Sequence, residues 1–136
     1  MSGRTPYPLR AVPGLAAAGA IGLVTIATCN AATGLADGTQ PLALLDEYSP
    51  LQIGLVSAPF VLLALLGRTG WRAWIAGLAG TAAFWGFYLF ETVQPYRGGG
   101  ANIGLGILML FSPVPIIVVT LILALAWKAR QTRTAV

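Results

Sequence analysis

Four apolar runs, at 11–35, 51–66, 71–90 and 103–127, carry one charged side chain between them, Arg72. A helix crosses the hydrocarbon core of a bilayer with about 20 consecutive apolar residues. Only a helix or a closed barrel satisfies its backbone N–H and C=O groups there. The first, third and fourth runs reach that length and the second is short. Composition closes the argument: the chain is 57% hydrophobic and 9% charged, with mean hydropathy +0.78. Soluble domains carry about 25% charged residues, and one this poor in charge would expose large apolar patches. The predicted fold is therefore an all-α integral membrane protein, a four-transmembrane-helix up-down bundle. Residues 1–10 form a polar N-terminal segment, 11–127 the four-span membrane domain, and 128–136 a polar tail expected to be disordered. The four spans leave no room in 136 residues for a separate soluble domain.

The basic residues set the expected orientation. Arg4 and Arg10 precede the first run, Arg68 and Arg72 follow the second, and Lys128, Arg130 and Arg133 follow the fourth. In an up-down arrangement these seven share one side, and Arg97 alone joins the four acidic residues, Asp37, Asp46, Glu47 and Glu91, on the other. Cytoplasmic loops carry the excess of Lys and Arg, so both termini are expected to be cytoplasmic. Spans rich in alanine and glycine, with arginine as the main basic residue, point to a bacterial inner membrane. The net charge of +4 is no sign of nucleic-acid binding, because the basic residues cluster at span ends instead of along one face.

The chain has no histidine and one cysteine, Cys29. No disulfide can close within it, and histidine-ligated haem, histidine metal sites and a histidine general base are excluded. No metal, no cofactor and no catalytic residue is expected. The residues IATC before Asn30 loosely resemble a lipoprotein cleavage box, but Thr28 stands where a smaller residue is usual. The apolar run is also longer than that of a signal peptide, so it reads as a span.

Small residues four apart let helix backbones approach closely in lipid, where packing replaces the hydrophobic drive. Gly14, Ala18 and Gly22 form such a stripe in the first run, continued by Thr25 and Cys29. Gly77 and Gly80 begin another in the third, on a face that leads through Phe84 and Phe87 to Glu91. Pro13 is placed in the first turn of its helix, where a missing N–H costs little. Pro59 is expected to kink the second span, and Pro113 and Pro115, which bracket Val114, the fourth. In the 36–50 loop the stretch LALLDEY reads as a short interfacial helix with Tyr48 at headgroup level.

The stretch 91–106, ETVQPYRGGGANIGLG, is the densest in distinctive chemistry. Glu91 at a span end is a candidate for binding a cation or carrying a proton, or else a solvated partner of Arg97. Gly98, Gly99 and Gly100 precede Asn102, an N-cap for the fourth helix. Glycine amides at a helix start, with Arg97 beside them, suit an anion such as a lipid phosphate, although the same run serves as a plain turn. Asn30, near the same end of the first span, joins Glu91, Tyr96, Arg97, the three glycines and Asn102 in one candidate polar cluster facing outward. The aromatic group Phe84, Trp85, Phe87, Tyr88 and Phe90 suits either a lipid or pigment pocket or ordinary packing.

Three functions follow from these features. The first is a non-catalytic accessory, assembly or structural subunit of a membrane complex, with the bilayer and other membrane subunits, or copies of itself, as partners. The second is a small oligomeric transporter or channel with an outward site at Glu91 and Arg97. In size it is similar to the small multidrug exporters, but the carboxylate those carry in the first span is missing here. The third is a lipid-interacting enzyme at the outer interface, the weakest because Glu91, Tyr96 and Arg97 form no recognisable catalytic set.

Overall fold

The structure is a computed structural model that describes residues 7–38, 44–67, 70–94 and 103–133. Five helices account for nearly all of the described chain: α1 (Tyr7–Ala36), α2 (Ser49–Leu66), α3 (Trp71–Val93), α4 (Ile103–Phe111) and α5 (Pro113–Arg133). There is no strand among the described residues. Four segments, Ala11–Ala36, Ser49–Leu66, Trp71–Val93 and Ile103–Ala126, are long and apolar enough to cross a membrane, the last shared by α4 and α5. This is the make-up of a multi-pass membrane protein.

The helix ends depart from the apolar runs for local reasons. The first helix continues upstream to Tyr7, so Pro13 lies inside it and not in its first turn. The second begins at Ser49 with Pro50 in its first turn, where proline's fixed φ already suits a helix. It runs unbroken past the buried Pro59 and ends at Gly67, whose φ of 64° is the left-handed conformation that closes many helices. The stretch 44–48 is a sequence of bends and turns instead of an interfacial helix. Asp46 takes the backbone amides that a helix there would need, as described below. At the other end of the chain α5 carries on through Arg133, past the apolar run and into the expected disordered tail. Ala129, Arg130 and Gln131 are good helix formers.

The most extensive contact is between α1 and α2; α2 also packs on α5, α5 on α3 and α3 back on α1, with a further contact between α2 and α3. The α1–α2 seam is close. A Cβ on Gly14 would stand 2.7 Å from the Ala64 Cβ, and one on Gly22 would collide with the Ser57 hydroxyl and stand 2.8 Å from the Ile53 carbonyl oxygen. Ala18, between these glycines, is fully buried, and its carbonyl accepts the Ser57 hydroxyl at 3.0 Å. Across the bundle Gly77 faces Phe60 and Thr120, and Gly80 faces Ile116.

Two buried clusters stack along the bundle. Ala18, Phe60, Leu63 and Ala73 form one, with Trp74 packed on it, its ring 5.6 Å from that of Phe60. Ile26, Val56 and Trp85 form the other, with Ile53, Phe84, Tyr88 and Met109 around them. Outside these clusters the surface is apolar: Val24, Leu35, Trp71, Ile103 and Leu125 are all well exposed. In water this would be an aggregation hazard; against lipid tails it is an ordinary exterior.

The fourth span is divided. Neither Pro113 nor Pro115 has an N–H to give to the carbonyl four residues earlier, Met109 or Phe111. The Met109 carbonyl instead accepts the Ser112 amide at 3.1 Å, a tighter turn that ends α4 and lets α5 begin at Pro113. Its chief neighbour is α5, and α4 buries none of its own residues.

Candidate functional site

The side chains with chemistry to offer stand at three levels of the bundle: the end bearing the acidic residues, the interior, and the end bearing Arg72 and Arg130.

At the acidic end a hydrogen-bond network joins α1 to the start of α2. The Asn30 amide donates to the Leu44 carbonyl and to the Ser49 hydroxyl, both at 3.1 Å. Ser49 is almost fully buried, and its hydroxyl also accepts the Asp46 amide at 2.8 Å while donating to Asp46 Oδ1 at 2.7 Å. That oxygen further accepts the amides of Tyr48 at 3.1 Å and Ser49 at 2.8 Å. One donor and two accepted bonds exhaust the capacity of a serine hydroxyl. The Ser49 hydroxyl bond, with the amides of Ser49 and Tyr48 beside it, holds the Asp46 carboxyl below its ordinary range. Asn30 is thus engaged in holding α1, the loop and α2 together. The sequence reading missed Asp46 and Ser49, although Asp, Ser and Pro in DEYSP carry the marks of a helix start.

Glu91 is exposed in the last turn of α3, because the helix continues to Val93. Tyr96, Arg97, Gly98, Gly99, Gly100 and Asn102 lie outside the described residues. Among the described residues no three of His, Cys, Asp and Glu are grouped to hold a metal ion. Cys29 is half-buried beside the second cluster, and its carbonyl accepts the Thr33 hydroxyl at 3.0 Å.

The aromatic residues of α3 divide between two environments. Trp85 is buried, with Phe84 edge-on at 5.8 Å and Tyr88 at 5.2 Å. Phe84 and Phe87 also line an apolar groove of about 480 Å³ between α3 and the fourth span, with Gly80, Leu108, Pro115 and Ile116 among its other walls. The division of the fourth span shapes this groove, since Leu108 precedes the break and Pro115 follows it. Phe90 is exposed.

At the basic end a cleft of about 150 Å³ lies between the start of α3 and the last turns of α5, with Gly70, Arg72, Leu123 and Arg130 in its wall. The Arg72 guanidinium also sits over the neighbouring Trp71 ring, 5.7 Å from its centre.

In comparisons with family models, characterised proteins and solved structures, the chain matches none. The functional reading therefore rests on the residues above.

Proposed function

We propose that this protein is a non-catalytic accessory, assembly or structural subunit of a membrane complex. In this reading it is an up-down four-span bundle with both termini in the cytoplasm of a bacterium and its body in the inner membrane. The observation that carries the reading is α4. Helices α1, α2, α3 and α5 each bury residues against the rest of the chain, whereas α4, the first half of the fourth span, has no fully buried residue and only Leu105, Gly106 and Met109 partly covered. Ile103, Ile107, Leu110 and Phe111 present a continuous apolar surface beside the α3 groove. Lipid covers such a surface in the isolated chain, and the helix of a partner covers it in a complex. The basic ends Arg68–Arg72 and Lys128–Arg133 support the orientation.

The experiment is purification from the source membrane into native nanodiscs, followed by mass measurement of the intact assembly. A heteromeric partner present at fixed stoichiometry is the expected result. A chain that is always alone or only self-associated overturns the subunit reading. Substrate flux in proteoliposomes that is lost on Glu91→Gln would then favour transport.

A further inference from the structure

Among the described residues, four buried polar side-chain atoms make no hydrogen bond: Gln52 Oε1, Thr81 Oγ1, Trp85 Nε1 and Ser112 Oγ. Thr81, Trp85 and Ser112 are only 3%, 2% and 2% exposed. Buried polar groups in folded proteins are nearly always paired, and each exception calls for an explanation. Thr81 is the clearest exception. Thr28, Thr33, Thr92 and Thr120 each donate to the carbonyl four residues back. Thr81 does not take the equivalent bond to Gly77, which its own helix offers.

These residues fall within one stretch of the bundle, about two helical turns deep. Thr81 and Trp85 are one turn apart on the buried face of α3. Helices α3 and α5 run antiparallel, with Gly77 against Thr120 and Gly80 against Ile116. The same register sets Ser112 level with Trp85. Gln52 arrives at that level from α2: its amide reaches the Met109 sulfur at 3.5 Å, and Met109 packs on the cluster that holds Trp85. The level is that of the break between α4 and α5, where Pro115 deprives the Phe111 carbonyl of its usual donor.

We propose that this level is a hydration site, where one or two water molecules sit among Gln52, Thr81, Trp85 and Ser112. The chemistry is complementary. The indole N–H only donates, the amide oxygen only accepts, and the two hydroxyls do either. A guest that both donates and accepts can satisfy all four. The guest is neutral, because none of the four side chains carries a charge to balance an ion. It is small, because Ile26, Val56 and Trp85 are packed together beside it. Water at a proline break also supplies what non-helical backbone at membrane depth requires. This inference goes beyond the subunit reading and holds whether or not a partner exists.

The test is a water-edited proton–nitrogen spectrum of the ¹⁵N-tryptophan-labelled protein in nanodiscs. The Trp85 indole signal is identified by its loss in Trp85→Phe, or by sequential assignment of the uniformly labelled chain should that variant not fold. The expected result is transfer from water to this buried indole, weakened in Thr81→Val and in Ser112→Ala. Both variants should also unfold at a lower denaturant midpoint, because each removes a partner of the bound water. If the four groups are instead dry and unpaired, apolar replacement relieves them and the midpoint rises. Absence of transfer to the Trp85 indole in the unmodified protein, or a raised midpoint in both variants, overturns the proposal.

Discussion

Replacing Gly22 with alanine tests the α1–α2 seam at its tightest point. The added Cβ would overlap the Ser57 hydroxyl and stand 2.8 Å from the Ile53 carbonyl oxygen and 3.1 Å from the Ile53 Cγ2. The hydroxyl can swing away, but it then gives up its bond to the Ala18 carbonyl. The Ile53 carbonyl is backbone inside α2 and cannot move without the helix. Overpacking of this kind costs about 1–3 kcal/mol, and a lost hydrogen bond about 1 kcal/mol more. Alanine recovers about 1 kcal/mol over glycine through helix propensity. The net expectation is a destabilisation of about 1–3 kcal/mol. Gly19 is the internal control, because a Cβ there meets nothing within 4 Å. Gly19→Ala should be neutral or gain up to about 1 kcal/mol. The assay is reversible unfolding in mixed micelles, titrated with a denaturing detergent and followed by far-ultraviolet circular dichroism. Two glycines three residues apart on one helix should thus respond with opposite signs. Equal midpoints for the two variants would refute the close-approach argument.

Other expectations follow from the same contacts. Ser49→Ala removes the hydroxyl shared by Asn30 and Asp46, and should lower stability by about 2 kcal/mol in the same titration, whereas Glu47→Ala, on the exposed side of the loop, should change little. The Asp46 carboxyl is held low when folded, so its stabilising effect is complete above the ordinary aspartate value of about 3.9 and is lost as pH falls through the lower folded value. Amide exchange at the start of α2 should therefore quicken only in that acid window, and Asp46→Asn should abolish the dependence. At the second seam, a Cβ on Gly77 meets Phe60 at 3.0 Å and Thr120 at 3.3 Å, whereas one on Gly80 meets Ile116 at an ordinary 3.4 Å. Gly77→Ala should consequently destabilise more than Gly80→Ala, as paired unfolding midpoints would show. Restoring amides with Pro113→Ala and Pro115→Ala together should let α4 and α5 merge, giving slower exchange across 112–116 than in the parent chain.

The spans were legible because a long uncharged apolar run is a signal carried by consecutive residues, and nothing else in so short a chain competes with it. The ends of the helices were less legible. Apolarity does not set where α1 begins, and its helix continues through polar sequence to Tyr7. Past Trp127 the apolar signal fades while helix-forming residues persist, so the expected disordered tail is helical through Arg133. The loop before α2 was misjudged for a different reason. LALLDEY has a plausible helical pattern, but the Asp46 side chain captures the amides of Tyr48 and Ser49. That competition is local and could have been read from DEYSP. The link to Asn30 could not, because residues 30 and 49 meet only once α1 and α2 are packed. The same holds for the gathering of Gln52, Thr81, Trp85 and Ser112, which come from three separate runs and look individually unremarked in the sequence. The outward cluster proposed around Tyr96, Arg97 and Asn102 falls outside the described residues, and only Glu91 and Asn30 among its members have a described setting.

The shortness of α2 has a consequence for the surrounding lipid. Its 18 residues rise about 27 Å, while the 26 apolar-span residues Ala11–Ala36 of its closest neighbour rise about 39 Å. The seam from Gly14 to Gly22 binds the two side by side, so neither can adjust its depth alone. A hydrocarbon layer of about 30 Å exceeds the rise of one by about 3 Å and falls short of the other by about 9 Å. A slight thinning of the bilayer beside α2 and a lean of the longer helix together reconcile the two lengths, which makes hydrophobic mismatch a built-in property of this pair. Such a molecule prefers thin membranes and draws short-chain lipids to one flank.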